Sequence, residues 1–170
     1  MKHENGGHLA SVRVIDFTQI AAGPTCTMML ADRGADVIKI EAPTGDIGRT
    51  LGPPFLGEHG ALFLALNRNK RSVVLDLKSA SGLAHARQLI ASADVVVESF
   101  RPGVMERLGL GYAMASQSNP GLIYCSISAY GQSVPMRDKP GVDGILQATT
   151  GLMSVTGAAN EEPSKVQAPI

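Results

Sequence analysis

Residues 13–41 read RVIDFTQIAAGPTCTMMLADRGADVIKIE, and this stretch decides the fold class. Arg13–Phe17 and Asp36–Glu41 are short runs rich in β-branched residues, which is typical of strands covered on both faces of a sheet. Gly23-Pro24 marks a helix start between them, and Thr25–Arg33 carries apolar residues at helical spacing. The stretch therefore predicts a strand, a helix and a second strand parallel to the first.

Further along the chain, short apolar strands continue to alternate with helical segments. The pattern predicts strands at Ser72–Leu77, Asp94–Glu98 and Leu122–Ser128, and helices from a Ser79 cap to Ala91, over Pro102–Leu108, over Tyr112–Ser118 and from about Val142 to Gly151. Ala42–Gly57 is rich in Gly and Pro, so we expect a loop there. This alternation predicts an α/β fold, with an open, mostly parallel sheet flanked by helices.

The composition excludes several classes of protein. Fifteen Lys and Arg residues balance fifteen Asp and Glu residues, whereas nucleic-acid binding normally needs a basic excess or stripe. Two cysteines, Cys26 and Cys125, cannot form a disulfide framework, and no apolar run is long enough for a secretory signal or a membrane span. We therefore expect a cytoplasmic protein with reduced thiols that binds neither nucleic acid nor a membrane. The length, 170 residues, suggests a single domain.

Common catalytic and cofactor motifs are missing from the sequence. The turn TQIAAGP at 18–24 holds one glycine, so the dinucleotide fingerprint G-x-G-x-x-G fails, and the P-loop and G-x-S-x-G motifs are also absent. The histidines, His3, His8, His59 and His85, lack partners at ligand spacing, so no metal site is predicted. The turn at 18–24 either offers the free N–H groups of a helix N-terminus to an anion or simply leads into a core helix.

Charged residues occur near the ends of strands and the starts of helices. The basic set is Arg49, Arg68, Lys70, Arg71, Lys78, Arg101 and Arg107, and the acidic set is Asp16, Glu41, Asp46, Asp76, Glu98 and Asp143. The basic residues either form a crown that binds phosphate oxygens at the carboxyl edge of the sheet or are solvated charges that balance nearby acids. Each acid can cap a helix, pair with a cation or act as a nucleophile, and spacing does not choose among these roles.

Six blocks of sequence are distinctive when they are taken together. They are DFTQIAAGP (16–24), LADRGADVIKIEAPTGDIGR (30–49), LNRNKRSVVLDLKSASG (66–82), ADVVVESFRPGVMERLGLGY (93–112), SISAYGQS (126–133) and GVDGILQATTGLMSVTG (141–157). In this order, the blocks resemble the N-terminal part of a class III CoA-transferase, the family of formyl-CoA transferase, carnitine CoA-transferase and 2-methylacyl-CoA racemase. The resemblance runs from Val12 to Ile170 almost without gaps.

The resemblance implies a Rossmann-like large domain, a smaller second domain and an interlocked homodimer. On this comparison, residues 1–11 are a flexible tail and residues 12–170 are the N-terminal part of the CoA-binding large domain, without the second domain or the C-terminal return. The family moves CoA between an acyl-CoA and a carboxylic acid through a covalent aspartyl intermediate. The resemblance places that aspartate just past Ile170, so this chain alone is expected to be inactive. CoA is then a substrate, and no tightly bound cofactor is expected.

The resemblance also implies which residues contact CoA. The residues that match the contact positions of formyl-CoA transferase are Ile20, Ala22, Leu75, Lys78, Ser99, Phe100, Arg107 and Leu108. On this comparison, Lys78 and Arg107 bind the phosphates of CoA, because both side chains are cationic. Leu75 and Phe100 are expected to flank the adenine ring.

The sequence departs from the pattern of known family members at several positions. Ala21 and Ala42 stand where formyl-CoA transferase has a glutamine and an arginine, which argues against formyl-CoA or oxalate chemistry, and Ser99 stands where asparagine is common. The racemase branch has a histidine before the aspartate of a G-H-D motif, but here Val142 precedes Asp143, and valine cannot carry a proton. A transferase is the better interpretation. A racemase-type enzyme and a non-catalytic CoA-binding fragment are the alternatives.

Overall fold

The structure is a computed structural model that describes residues 6–167. The chain forms two compact units, and the first of them ends at Ile127. Part of the predicted N-terminal tail, residues 1–5, lies outside the described residues. Within the rest of that tail, the backbone N–H of Leu9 donates to the carbonyl of Arg33 at 3.0 Å.

Five parallel strands form the sheet of the first unit. They are β1 (Arg13–Phe17), β2 (Asp36–Glu41), β5 (Arg71–Val74), β6 (Val95–Glu98) and β7 (Ile123–Ser126), and a separate antiparallel pair is formed by β3 (Phe55–Leu56) and β4 (His59–Gly60). The spatial order of the five is β5-β2-β1-β6-β7. β1 lies at the centre, where Val14 is in register with both Val37 and Val95. This is the strand order of a doubly wound, Rossmann-like sheet.

Helices cover both faces of this sheet. They are α1 (Ala22–Ala31), α2 (Ala61–Leu66), α3 (Ala80–Ala91), α4 (Val104–Arg107) and α5 (Tyr112–Ser118). Successive residues of β1 face opposite sides of the sheet, so they belong to different cores. Ile15 and Phe17 pack in one cluster with residues of α3, α4 and α5, whereas Val14 packs in another with Ala31 of α1. The predicted α/β fold, with an open parallel sheet flanked by helices, is confirmed.

Most of the predicted elements are confirmed, with small shifts at their ends. β1, β2 and α5 have the predicted bounds. The hydroxyl of Ser79 caps α3 as predicted, because it accepts the backbone N–H of Gly82 at 3.0 Å. The helix predicted at Thr25–Arg33 begins earlier, at Ala22, and ends at Ala31.

One predicted loop contains structure that the sequence pattern missed. Residues 42–57 include β3 and a 3-10 helix at Ile47–Thr50, and α2 follows soon afterwards. Asp46 caps the 3-10 helix, since its side chain accepts the backbone N–H of Gly48 at 2.7 Å. Elements this short carry almost no hydrophobic repeat, so periodicity alone does not reveal them.

The second unit contains α6 (Asp143–Thr149) and a 3-10 helix at Leu152–Val155. Gln147 is buried, and its side chain makes a two-way contact with the backbone of Val166. The amide nitrogen of Gln147 donates to the Val166 carbonyl at 3.2 Å, and the amide oxygen accepts the Val166 N–H at 2.9 Å. This contact holds the segment around Val166 against α6.

Among residues 6–167, no helix is long and apolar enough to cross a membrane.

Candidate functional site

The topological switch point of the sheet lies between the neighbouring strands β1 and β6. From β1 the chain proceeds through α1 to β2 on one side, and from β6 it proceeds through α4 and α5 to β7 on the other. Open α/β sheets bind ligands beyond the carboxyl ends of the strands at such a point. Four of the predicted CoA contacts follow these two strands, namely Ile20 and Ala22 after β1 and Ser99 and Phe100 after β6. The two loops are therefore the candidate site.

A buried carboxylate shapes the loop that follows β1. Asp16 Oδ1 accepts hydrogen bonds from the backbone N–H and the hydroxyl of Thr18, at 2.9 and 2.5 Å. The other oxygen, Oδ2, accepts from the hydroxyl of Thr27 in α1 at 2.6 Å and from Lys70 Nζ at 3.1 Å. A Cβ built on Gly23 would fall 2.2 Å from the Thr18 Cβ, so α1 packs tightly on the loop. Strand, loop and helix are thereby fixed to one another.

A second buried ion pair holds the other side of this loop. Lys39 Nζ lies 2.7 Å from Asp46 Oδ2, at ion-pair distance but outside hydrogen-bond alignment. The same ammonium donates to the carbonyl of Thr18 at 2.7 Å, and Asp46 Oδ1 accepts the backbone N–H of Ile20 at 3.2 Å. Each side chain is 1% exposed. Because an unpaired buried ion costs several kcal/mol, each of these charges requires the other.

The segment that carries Asp46 is anchored to the end of β2. Glu41 accepts hydrogen bonds from two guanidinium nitrogens of Arg49, both at 2.7 Å, and from the Ser72 hydroxyl at 2.5 Å. It also accepts the backbone N–H of Asp46 at 2.9 Å. Arg49 stacks on the ring of Phe63, with its Cζ 3.9 Å from the ring centroid. Burial alone would raise the pKa of Glu41, but these donors outweigh it and lower the pKa to about 2.

The loop that follows β6 is organised by another buried carboxylate. Glu98 is 5% exposed, and its Oε2 accepts the backbone N–H of Phe100 at 2.8 Å. Burial raises the pKa of Glu98, although hydrogen bonds from Ser126 and from that N–H act in the opposite direction. Gly103 then adopts a φ of 82°, a conformation that favours glycine, and α4 begins at the next residue. The direction in which the chain enters α4 is thus set locally.

The remaining predicted contacts follow β5 or lie at the end of α4. Leu75 comes directly after β5, and its backbone N–H donates to the carbonyl of Glu41 at 2.9 Å. Lys78 is exposed and precedes the cap of α3, while Arg107 ends α4 and Leu108 is the C-cap of that helix. Leu75 and Lys78 therefore lie in the loop after β5, and Arg107 and Leu108 lie at the end of the helix that follows the β6 loop.

The predicted contacts divide between the two faces of the sheet. Leu75, Phe100 and Leu108 are half-buried and pack against the core cluster beneath α3, α4 and α5. Ile20 and Ala22 are exposed, and Ala22 begins α1, which covers the opposite face. Leu75, Phe100 and Leu108 thus pack against the same core cluster, whereas Ile20 and Ala22 belong to the loop and helix of the opposite face.

Comparison with known proteins identifies the family. The family model described as CoA-transferase family III matches residues 9–170. The chain belongs to CoA-transferase family III. The resemblance carried by the six sequence blocks is therefore confirmed over almost the whole chain.

The relatives in CoA-transferase family III are much longer than this chain. It is 43% identical over 156 residues to human succinyl-CoA:glutarate CoA-transferase, covering 91% of the chain and 36% of the relative. It is 43% identical over 161 residues to acetyl-CoA:oxalate CoA-transferase of Acetobacter aceti, covering 94% and 41%. A crystal structure of a CaiB/BaiF family protein from Brucella suis matches with a TM-score of 0.91 at 40% identity, covering 96% and 44%. The chain spans less than half the length of each.

The seven basic residues that the sequence singles out in this CoA-transferase family III chain fall into two groups. Four of them pair with carboxylates, namely Arg49 with Glu41, Arg68 with Asp32, Lys70 with Asp16 and Arg71 with Asp36. Arg71 begins β5, so it lies at the amino edge of the sheet, away from the candidate site. Lys78, Arg101 and Arg107 are exposed, and their side chains form no ion pair within residues 6–167. The crown of cations predicted from the sequence is therefore smaller than the full basic set.

Sequence reasoning missed the ion pair beneath the site. The patterns name Asp46 only as one of several acids, and they do not single out Lys39. A signal was nevertheless present, because Lys39 stands inside the apolar strand DVIKIE at 36–41. A charge in a strand covered on both faces requires a buried partner. The partner comes from a glycine-rich segment without periodicity, so the sequence does not identify it.

In the second unit, Asp143 is the first residue of α6. Its carboxylate oxygens each accept from the side-chain amide of Gln147 at 3.0 Å, and Lys165 Nζ lies 3.4 Å from Oδ2. Val142, which stands where the racemase branch has a histidine, is the N-cap residue of α6 and is 61% exposed. The Val142 side chain carries no ionisable group, so it cannot transfer a proton.

Proposed function

We propose that the whole protein moves CoA from an acyl-CoA to a carboxylic acid, and that this chain supplies much of its CoA site. The observation that supports this most directly is that two loops meet at the switch point of the sheet, in a chain that belongs to CoA-transferase family III. Ile20 and Ala22 follow one strand of that point, and Ser99 and Phe100 follow the other. A ligand bound beyond these strand ends would meet all four residues.

The chemistry of CoA suits the residues proposed to bind it. CoA carries phosphates, an adenine ring and a thiol arm. Lys78 and Arg107 are exposed cations in the segments that follow β5 and β6, which suits them to phosphate oxygens. Leu75 and Phe100 are half-buried and pack against the same core cluster, and apolar side chains of this kind suit the faces of an aromatic base.

In this proposal, transfer proceeds through a covalent aspartyl intermediate. An aspartate carboxylate attacks the thioester carbonyl, and CoA leaves as a thiolate, which gives a mixed anhydride. The thiolate then attacks the aspartyl carbonyl, so the first carboxylate is released and an aspartyl-CoA thioester forms. The second carboxylate attacks the carbonyl of that thioester, which releases CoA thiolate and gives a new mixed anhydride. The thiolate then attacks the carbonyl of the second acyl group, which gives the new acyl-CoA and the free aspartate. We assign the nucleophile to a position just past residue 170, so this chain alone would bind CoA without turnover.

We propose a dicarboxylic acid as the acceptor. Glutarate and oxalate, which are both dicarboxylic, occur in the names of two relatives that are 43% identical to this chain. Ala21 and Ala42 depart from the residues of formyl-CoA transferase, which argues against oxalate. A dicarboxylate of the length of glutarate therefore fits the sequence better than oxalate does.

Calorimetry tests the binding part of the proposal on the 170-residue chain. We expect CoA to bind at millimolar concentration or below, and NADH and ATP to bind more weakly. The absence of CoA binding at millimolar concentration would overturn the assignment of the site. Tighter binding of NADH or ATP would instead indicate a nucleotide-binding protein.

Mass spectrometry of the whole protein tests the covalent part. After incubation with succinyl-CoA and then hydroxylamine, we expect one aspartate to be modified and activity to be lost. A fully active protein with no modified aspartate would exclude the aspartyl intermediate. In the same preparation, glutarate should accept CoA faster than oxalate does.

The alternatives and the assembly are tested on the same whole protein. A CoA-binding fragment without catalytic function would bind CoA but give no transfer with any carboxylic acid. A racemase-type enzyme would exchange the α-proton of a 2-methylacyl-CoA with solvent, a reaction for which Val142 supplies no base.

We propose a cytoplasmic, interlocked homodimer, so light scattering should give a dimer mass. A monomer would contradict that assembly.

A further inference from the structure

The backbone of Ile20 adopts a conformation that β-branched residues normally avoid. Within residues 6–167, the non-glycine residues with positive φ are Ile20 at 67°, Asn69 at 62° and Asn160 at 70°. Asparagine tolerates this left-handed region, whereas for a β-branched residue it is an outlier. Ile20 is also 38% exposed, so burial of its own side chain does not account for the conformation. Other contacts must hold the backbone of Ile20.

The Lys39–Asp46 ion pair provides those contacts. Asp46 Oδ1 accepts the backbone N–H of Ile20 at 3.2 Å, and Lys39 Nζ donates to the carbonyl of Thr18 at 2.7 Å. The pair therefore holds the loop on both sides of Gln19. Asp46 is fixed in turn, because its backbone N–H donates to Glu41 at 2.9 Å. A left-handed residue persists where the surroundings determine its conformation in this way.

We infer that Asp46 and Lys39 are positioning residues for CoA binding. They hold Ile20 in the left-handed conformation before the ligand arrives, and they act through the backbone without touching CoA. This inference rests on the proposed CoA site, because Ile20 and Ala22 are two of its contacts. A loop that left this conformation would have to regain it on binding, and the apparent affinity would fall by the fraction of chains in the competent state.

The inference predicts a specific coupling between Asp46 and Ile20. In calorimetry with CoA on the 170-residue chain, Asp46→Ala removes the oxygen that accepts the Ile20 N–H, and it should weaken CoA binding about tenfold, which matches the usual cost of the left-handed region for such a residue. Glycine adopts that region freely, so in an Ile20→Gly background the same change should weaken binding by no more than about twofold. A general structural role of Asp46 would produce the same loss in both backgrounds, and that result would overturn the inference.

A charge-free variant keeps the test valid if Asp46→Ala does not fold. The double replacement Lys39→Met with Asp46→Leu removes both ions, so no unpaired charge remains buried. It should fold, weaken CoA binding about tenfold and regain most of that loss with Ile20→Gly. A double variant that folds and binds CoA as tightly as the unaltered chain would overturn the inference.

Asp32 offers a matched control. It pairs with Arg68 and accepts from the side-chain amide of Asn69, the other non-glycine residue with positive φ in the described part of the first unit, at 2.9 Å. Asp32→Ala should leave CoA affinity unchanged, and a loss equal to that of Asp46→Ala would count against the inference. If the unaltered chain does not bind CoA, the proposed function fails. If it binds but the coupling between Asp46 and Ile20 is absent, only the positioning role fails.

Discussion

Lys70 Nζ lies 3.1 Å from Asp16 Oδ2, and the two side chains are 2% and 0% exposed. The same ammonium donates to the carbonyl of Pro24 at 2.9 Å, so it reaches the first turn of α1 as well. Burial lowers the pKa of Lys70, and the neighbouring Asp16 partly offsets this effect. One buried pair therefore joins the residue before β5 to β1 and to the helix that begins the candidate site.

Breaking this pair from one side should destabilise the first unit strongly. Lys70→Met leaves Asp16 buried without its cation, and Asp16→Asn leaves Lys70 without its anion. Each should cost about 3–5 kcal/mol of unfolding free energy in urea denaturation. The double variant leaves no buried charge at this pair, so it should cost clearly less than the sum.

The exposed pair Arg68–Asp32 provides the control for this cycle. Its side chains are 52% and 29% exposed, so Arg68→Met should change the unfolding free energy little. Additive effects of the two changes at Lys70 and Asp16 would show that the buried charges are not coupled.

The carboxylate of Glu41 should give the protein a specific dependence on acid. Its pKa is lowered from 4.5 to about 2, because hydrogen bonds from Arg49, Ser72 and Asp46 outweigh its burial. A pKa below that of the unfolded chain means that the ionised group stabilises the fold above about pH 4.5. This contribution, about 3 kcal/mol, is lost as the pH falls through about 2.

Replacing Glu41 tests this directly. Glu41→Gln should lower the unfolding free energy at pH 7 by about 3 kcal/mol and make its decline between pH 4.5 and pH 2 shallower. Urea denaturation over that range measures both effects, and the exposed Glu58→Gln should alter neither. A Glu41→Gln profile as steep as that of the unaltered chain would show that this carboxylate does not control the acid transition.

The bounds of a strand could be predicted where its apolar run ends at the same residue as its hydrogen bonding to the neighbouring strands. This holds for β1 and β2, whose bounds match the sequence pattern. The strand predicted at Ser72–Leu77 is a contrary case, since β5 ends at Val74 although the apolar run continues. There the side chain of Asp76 accepts the backbone N–H of Lys78 at 2.9 Å, which turns the chain. The apolar pattern shows which residues can be buried, but it does not show where the hydrogen bonding between neighbouring strands ends.

The candidate site was predictable as a set of loops, and the groups that support it were not. Family resemblance names positions such as Ile20 and Phe100, and the topology places both at the carboxyl edge of the sheet. Lys39 and Asp46 meet only in the folded chain, so no local pattern joins them. The pairing of the basic residues could not be predicted either. Arg71 and Arg107 both stand beside a predicted strand or helix, but Arg71 pairs with Asp36, whereas Arg107 forms no ion pair within the described chain.

Gly23 should be required for the packing of α1 on the candidate loop. An added Cβ would fall 2.2 Å from the Thr18 Cβ, so Gly23→Ala must displace the loop or the helix. Overpacking outweighs the helix preference for alanine, and we expect a net loss of about 1–2 kcal/mol in thermal or urea unfolding. Gly144→Ala, in a helix with open space around the position, should be neutral or stabilising. Equal stability of the Gly23→Ala chain would show that this contact can relax freely.

Exposed cations at the carboxyl edge should contribute to CoA binding, whereas an exposed cation at the amino edge should not. Lys78 and Arg107 are the cations proposed to meet the phosphates, and neither forms an ion pair within the described chain. Lys78→Gln and Arg107→Gln should each weaken CoA binding roughly two- to fivefold, because exposed charge pairs are worth no more than about 1 kcal/mol. The loss should shrink at high salt, since screening already weakens these contacts in the unaltered chain.

Arg71 is the matched control for that measurement. It is also exposed, but it begins β5 at the amino edge and pairs with Asp36. Arg71→Gln removes the same charge from the chain, so it should leave CoA affinity within experimental error in calorimetry at low salt. If all three replacements weaken binding equally, net charge alone governs the interaction, and the phosphates of CoA do not bind at the carboxyl edge.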